Sequence, residues 1–200
     1  MRGRPLALLT DTCFFVLVLY SLSTYLHLFN TYGQPQTIFF ISYQLIALAF
    51  LLIRKNAVTL SSRPLDYVYA LLGLGSSLLF RPAYAYSNSI IGMFLEAAGG
   101  FFVLGAFLSL NRSFGIAPEN RGVKTIGLYR IIRHPMYFGY VVVEIGFVIN
   151  NFSAFNLTVL VVAIFFTILR LRAEERVLRK DSRYIEYSQR TRWRLIPFIF

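Results

Sequence analysis

Long apolar runs constrain this chain before anything else does. Six can be drawn, at roughly 13–29, 37–53, 65–80, 89–110, 136–150 and 154–170. Crossing a bilayer takes about 20 apolar residues, in a range of about 17–25. The first, second and fourth runs meet that requirement well, and the third is short. The fifth and sixth are short too, and Asn150-Asn151-Phe152-Ser153 between them is a turn signal. They read as a helical hairpin that crosses fully or only in part. With 56% hydrophobic and 14% charged residues, the chain is expected to be all-α: a polytopic membrane helix bundle of about six apolar segments, embedded in a lipid bilayer.

Charge orients this bundle. The formal net charge is +11, which by itself would suit nucleic acid. The basic residues, however, lie between apolar runs and in the C-terminal tail, so the positive-inside rule accounts for them and no nucleic-acid partner is expected. Of the 20 basic residues, all but Arg81 fall on one side of the expected membrane. Both termini are therefore expected in the cytoplasm, whether or not the last hairpin crosses completely. Arg2 and Arg4 before an apolar run resemble the start of a signal peptide, but no good small-residue cleavage site follows, so an uncleaved first helix is expected. A bacterial inner membrane and the endoplasmic reticulum are equally compatible. The oligomeric state is left open.

The loop 111–135 and the tail 171–200 remain outside the apolar runs. In the tail, Leu171, Val177, Leu178 and Ile185 fall near helical spacing, which predicts an amphipathic helix on the membrane surface. The tail then meets Pro197 and an apolar end that is expected to turn back into protein or lipid. In the loop, Arg133-His134-Pro135 abuts an aromatic run. Pro135 disfavours helix at His134 and suits the first turn of a new helix, so it is expected to start the fifth segment. The amides at such a helix start can bind an anion, with Arg133 and His134 adding donors. Gly139, one turn in, leaves room for another backbone or a ligand. Glu174 and Glu175 point about 100° apart on a helix, so one is expected to face inward and the other solvent. Donors, acceptors and rings on one face suit a polar, zwitterionic, aromatic-bearing cofactor; the alternative is an interfacial anchor.

These residues resemble the isoprenylcysteine carboxyl methyltransferase family, membrane enzymes that use S-adenosylmethionine. Its signature is R-H-P-x-Y-x-G, then a hydrophobic hairpin, then E-E. Here Arg133-His134-Pro135-Met136-Tyr137-Phe138-Gly139 and Glu174-Glu175 stand in those places, preceded by Gly127-Leu128-Tyr129 and followed by Tyr184, Tyr187 and Arg194-Leu195-Ile196-Pro197. Leu128 replaces a proline, and Asp181-Ser182 replaces a Phe-Gly. The resemblance covers roughly residues 90–200. It implies N-terminal transmembrane helices over 1–88 and a methyltransferase core over 89–200, with a cytoplasmic C-terminal cofactor region. It also implies S-adenosyl-L-methionine held by Tyr129, His134, Pro135, Tyr137, Gly139, one or both of Glu174 and Glu175, and Tyr184. Arg133 or Arg172 is the expected holder of an anionic group. Glu144, two turns past Tyr137, is expected to line the substrate cavity, or else to make a structural hydrogen bond, as is Glu96.

No metal is expected, because two distant histidines and one cysteine make no zinc site. The acceptor implied is a lipophilic small molecule or a lipidated chain; relatives methylate carboxylates, phospholipid headgroups and small thiols, and an ionised Glu144 in the cavity would favour an amine. Two rival readings are an NADPH-dependent membrane reductase of the sterol or steroid type and a non-enzymatic membrane scaffold.

Overall fold

The computed structural model describes residues 3–32, 35–82, 89–197 and 199. Arg2, the stretch before the expected boundary at 88/89 and the terminal Phe198 and Phe200 lie outside them.

The described residues form seven α-helices and little else. They are α1 (Gly3–Tyr32), α2 (Pro35–Ile53), α3 (Pro64–Ser77), α4 (Ile90–Leu110), α5 (Pro135–Asn150), α6 (Ala154–Leu178) and α7 (Ser182–Arg190). The sequence marks most of the starts. Pro64 and Pro135 occupy the first turns of α3 and α5, where their missing N–H costs nothing. The Ser153 hydroxyl accepts from Asn156 N–H at 3.1 Å to cap α6, and the Asp181 carboxylate accepts from Arg183 N–H at 3.0 Å to cap α7. Each such cap contributes about 1 kcal/mol.

Among the described residues, three helices are long and apolar enough to cross a membrane: Gly3–Thr31, Ile90–Ser113 and Ala154–Leu178. The first and fourth runs are thus long spans. The sixth run, short in the sequence, proves to be the apolar part of a 25-residue helix. Its apolar stretch ends near Arg170, but Arg, Ala, Glu and Leu all favour helix, and no Gly or Pro interrupts them. At 1.5 Å per residue α6 runs about 37 Å against about 24 Å for α5. Its last two turns therefore project past the start of α5 and carry Glu174 and Glu175 beside it.

The α4–α5 pair is the tightest in the fold. A Cβ at Gly99 would lie 2.7 Å from the Gly139 carbonyl oxygen, and one at Gly139 would lie 2.7 Å from that of Gly99. Gly146 meets the Gly92 carbonyl oxygen just as closely. Glycines one turn-pair apart on both helices let the backbones touch, as small residues do between helices in lipid. Glu96 is buried along this seam, where Asn150 Nδ2 donates to its Oε1 at 3.1 Å. That is the structural hydrogen bond offered above as its alternative.

The loop between α4 and α5 is held at both ends. A two-residue antiparallel pair joins β1 (Thr59–Leu60) to β2 (Glu119–Asn120), with Thr59 opposite Asn120. Arg121 and Arg54 both pair with Glu119. Burial pushes the Glu119 carboxyl up from its ordinary range, and its bond to Arg121 pulls it partly back.

Candidate active site

The site is built where the start of α5 meets the end of α6. Pro135 starts α5 with His134 as its cap residue, in a non-helical conformation. The C-terminal segment closes over this corner. Arg133 N–H donates to the Trp193 carbonyl and His134 N–H to the Arg194 carbonyl, both at 2.9 Å. These two amides are therefore committed to the chain itself and do not face an anion. Leu195 packs with Tyr137 and Leu171, whereas Ile196 and Ile199 in the apolar end beyond it are exposed and do not turn into protein.

Glu175 is the hub of the corner. Its Oε1 lies 3.1 Å from Arg133 Nη1, 3.2 Å from His134 Nε2 and 3.0 Å from the Tyr184 hydroxyl, which donates to it. Its Oε2 lies 3.5 Å from Arg179 Nε and 3.4 Å from Arg194 Nε. A buried carboxylate surrounded by cations and a hydroxyl is compensated, whereas a lone one would be very costly. The pairing joins residues 133–134, 175, 184 and 194 into one unit. It also means that most of the charge on Arg133 is answered within the chain.

Beside this hub lies a pocket lined by the loop, α5, α6 and α7. Tyr129, Arg133, His134, Met136, Tyr137, Arg170, Glu174, Tyr184 and Tyr187 face it, with Phe114, Glu119, Arg121 and Lys124 from the loop. Both glutamates thus serve the site, one as hub and one as pocket wall; neither simply faces solvent. The Tyr137 hydroxyl donates to Glu174 Oε2. The Tyr137 ring stacks on His134 at 5.5 Å between centroids, and the Arg170 guanidinium carbon lies 4.8 Å from the Tyr137 ring centroid. Such a cation–π contact contributes about 2 kcal/mol when desolvated. Arg170 Nη2 donates to the Ile116 carbonyl at 3.0 Å, while its buried Nε has no hydrogen-bond partner. Tyr187 donates to the Tyr129 carbonyl at 2.6 Å. Burial, reinforced by the charge of Glu174, pushes the Tyr129 phenol well up. Burial with the neighbouring Glu175 does the same to Tyr184. These rings stay neutral and able to donate.

Other expected site residues are placed differently. Arg172 is exposed and does not line the pocket; two residues from Arg170, it points about 200° away around α6. Pro135 shapes the helix start, and Gly139 packs on α4; neither is a lining residue. Glu144 is buried two turns deeper, where Ser77 donates to its Oε1, and it lines a second, inner cavity. Arg170 is the residue that sequence reasoning missed as a site member. It stands at the end of an apolar run, where a basic residue reads as a membrane-edge anchor. Its place one turn before Glu174 was the available signal. Among the described residues, no group of His, Cys, Asp or Glu is arranged to hold a metal.

No curated protein and no solved structure matches this chain. Residues 92–180, from α4 through the Arg133–Pro135 corner to the end of α6, match the model of one protein family. That family is the isoprenylcysteine carboxyl methyltransferase (ICMT) family, and over this segment the chain is similar to it.

Proposed function

We propose that the chain is an integral membrane methyltransferase that takes S-adenosyl-L-methionine into the pocket beside Glu175 and acts on a lipophilic acceptor. The match of residues 92–180 to the ICMT family supports a methyltransferase. The observation that carries the cofactor is the chemistry of the pocket wall: a buried guanidinium with an unpartnered Nε, a carboxylate four residues on, and four tyrosine rings. Arg170 suits the cofactor's carboxylate, Glu174 its ammonium or ribose hydroxyls, and Tyr129, Tyr137, Tyr184 or Tyr187 its adenine. Arg133 and His134 act as positioning residues, fixed by Glu175. The one-sided distribution of basic residues supports placing this pocket on the cytoplasmic side.

When bound, the cofactor's sulfonium supplies an activated methyl group. The protein is left to orient the two reactants and exclude water. Strapped down by residues 193–194, the pocket is suited to both. A wall of unexposed rings strips water from an acceptor that enters between helices.

The test is calorimetric binding of S-adenosylhomocysteine and, separately, of NADPH to the detergent-purified chain. The expected result is binding of the first alone, weakened at least tenfold in Glu174→Gln, which keeps an acceptor for Tyr137 but loses the charge. Binding of NADPH alone overturns the proposal in favour of a reductase. Binding of neither overturns it in favour of a scaffold.

A further inference from the structure

The inner cavity is a separate space, walled by α1 to α5 within the bundle. Most of its wall is apolar, as with Val18, Val103 and Phe147. Four polar side chains break it, Gln44, Ser77, Tyr140 and Glu144, and two of them carry an acceptor that makes no hydrogen bond. Glu144 is 6% exposed and accepts from Ser77 through Oε1, while its Oε2 has no hydrogen-bond partner. Gln44 is 2% exposed and donates from Nε2 to Ser21 Oγ at 2.8 Å, while its Oε1 has none either. A buried acceptor without a donor is costly, and more so when it is charged. Among the described residues, no Lys, Arg or His lines the cavity.

We infer that this cavity receives the amine-bearing end of a lipophilic ligand. Donor counting selects the head group. A carboxylate head brings no donor, leaves both oxygens unpaired and adds a like charge beside Glu144. A hydroxyl brings one donor for two acceptors. A primary amine brings two, or three when protonated, and answers both oxygens. The space open to the centre of a water-sized sphere is about 50 Å³, several times what one water occupies by that measure. A small head and its first carbons fit; the rest of an alkyl chain must leave between helices. The inference stands apart from the methyltransferase reading, because this cavity shares no lining residue with the pocket beside Glu175.

Decylamine and decanoic acid, equal in chain length, are titrated into the full chain in lipid nanodiscs. Glu144→Gln retains an oxygen for Ser77 and presents an amide N–H₂ where Oε2 stood, turning acceptor into donor. Ala47→Phe fills the cavity from α2. The expected result is that decylamine binds at least tenfold more tightly than decanoic acid and loses at least tenfold in either variant. Equal binding of both chains, or unchanged amine affinity in Glu144→Gln or Ala47→Phe, overturns the inference. So does absence of amine binding, which would leave the two oxygens to buried water. S-adenosylhomocysteine affinity is measured on the same samples. If it is retained in both variants, they are folded. If it is absent in the unmodified chain, the methyltransferase reading fails while the amine result stands on its own.

Discussion

Two buried glutamates face opposite situations in this molecule. Around Glu175, Arg133, His134, Arg179, Tyr184 and Arg194 all converge on one carboxylate. Around Glu144, Ser77 supplies a hydrogen bond and one oxygen is left over in an apolar cavity. The first arrangement is closed in charge: guanidinium groups lie against both carboxylate oxygens, although Oε2 meets them at 3.4–3.5 Å as ion pairs without a hydrogen bond, and its work is to hold loop, α6, α7 and C-terminal segment together. The second is open: its chemistry is completed from outside. Burial of a charged residue type therefore does not by itself mark a binding group. What distinguishes the two is whether the protein has already answered the charge.

That contrast predicts its own largest effect. Glu175→Ala removes the carboxylate, leaves Arg133 buried with its charge unanswered and takes the hydrogen-bond partner from the buried His134 Nε2. Breaking a buried pair from one side costs about 3–5 kcal/mol. Thermal unfolding in detergent is expected to fall steeply, with loss of S-adenosylhomocysteine binding as the corner comes apart. Glu144→Gln is expected to unfold close to the unmodified chain, because it removes no partner of a buried cation. If Glu144→Gln proves as damaging as Glu175→Ala, the distinction between closed and open sites fails.

A smaller effect separates the two kinds of glycine. Gly139→Ala puts a methyl 2.7 Å from the Gly99 carbonyl oxygen, which is backbone and has little freedom to retreat. Overpacking of this sort costs about 1–3 kcal/mol. Gly75→Ala meets only a Leu17 methyl at 3.6 Å, an ordinary contact, and is expected to be neutral or to stabilise slightly through better helix propensity. Paired melting curves of the two variants test whether Gly139 serves α4 rather than a ligand. A Gly139→Ala chain that melts normally but loses S-adenosylhomocysteine would return that residue to the binding site.

Much of the scaffold was legible because its signals are local. Pro135 starts a helix wherever it stands, and the Asn150–Ser153 turn breaks one. The apolar runs of α1 and α4 are long enough to identify alone. The sixth run was misjudged because hydropathy ends at Arg170 while helix propensity does not, so a span and its polar extension read as two elements. The tail similarly read as a surface helix, whereas α7 turns Tyr184 and Tyr187 inward to meet Glu175 and the Tyr129 carbonyl. Those partners stand 9 and 58 residues away, and no spacing rule connects them. The same limit applies to the corner amides. From the sequence the backbone amides of Arg133 and His134 are loop donors without an assigned partner; only the fold brings the carbonyls of Trp193 and Arg194 to them.

The two arginines of α6 give the smallest and most selective test. Arg170 and Arg172 are identical in type and two residues apart, yet one is 4% exposed over the Tyr137 ring and the other faces outward. Arg170→Met keeps most of the apolar stem and removes the guanidinium. It is expected to weaken S-adenosylhomocysteine about tenfold, equivalent to about 1.4 kcal/mol. Arg172→Met takes away a solvated charge and is expected to leave both affinity and melting within about 0.5 kcal/mol of the unmodified chain. The pair carries its own control, since both changes remove one positive charge from the same helix and any general electrostatic effect on the ligand's carboxylate is shared. Only a direct contact separates them. Equal losses would mean that the pocket reads net charge, and that Arg170 is there to anchor α6 against Ile116 and not to hold a ligand.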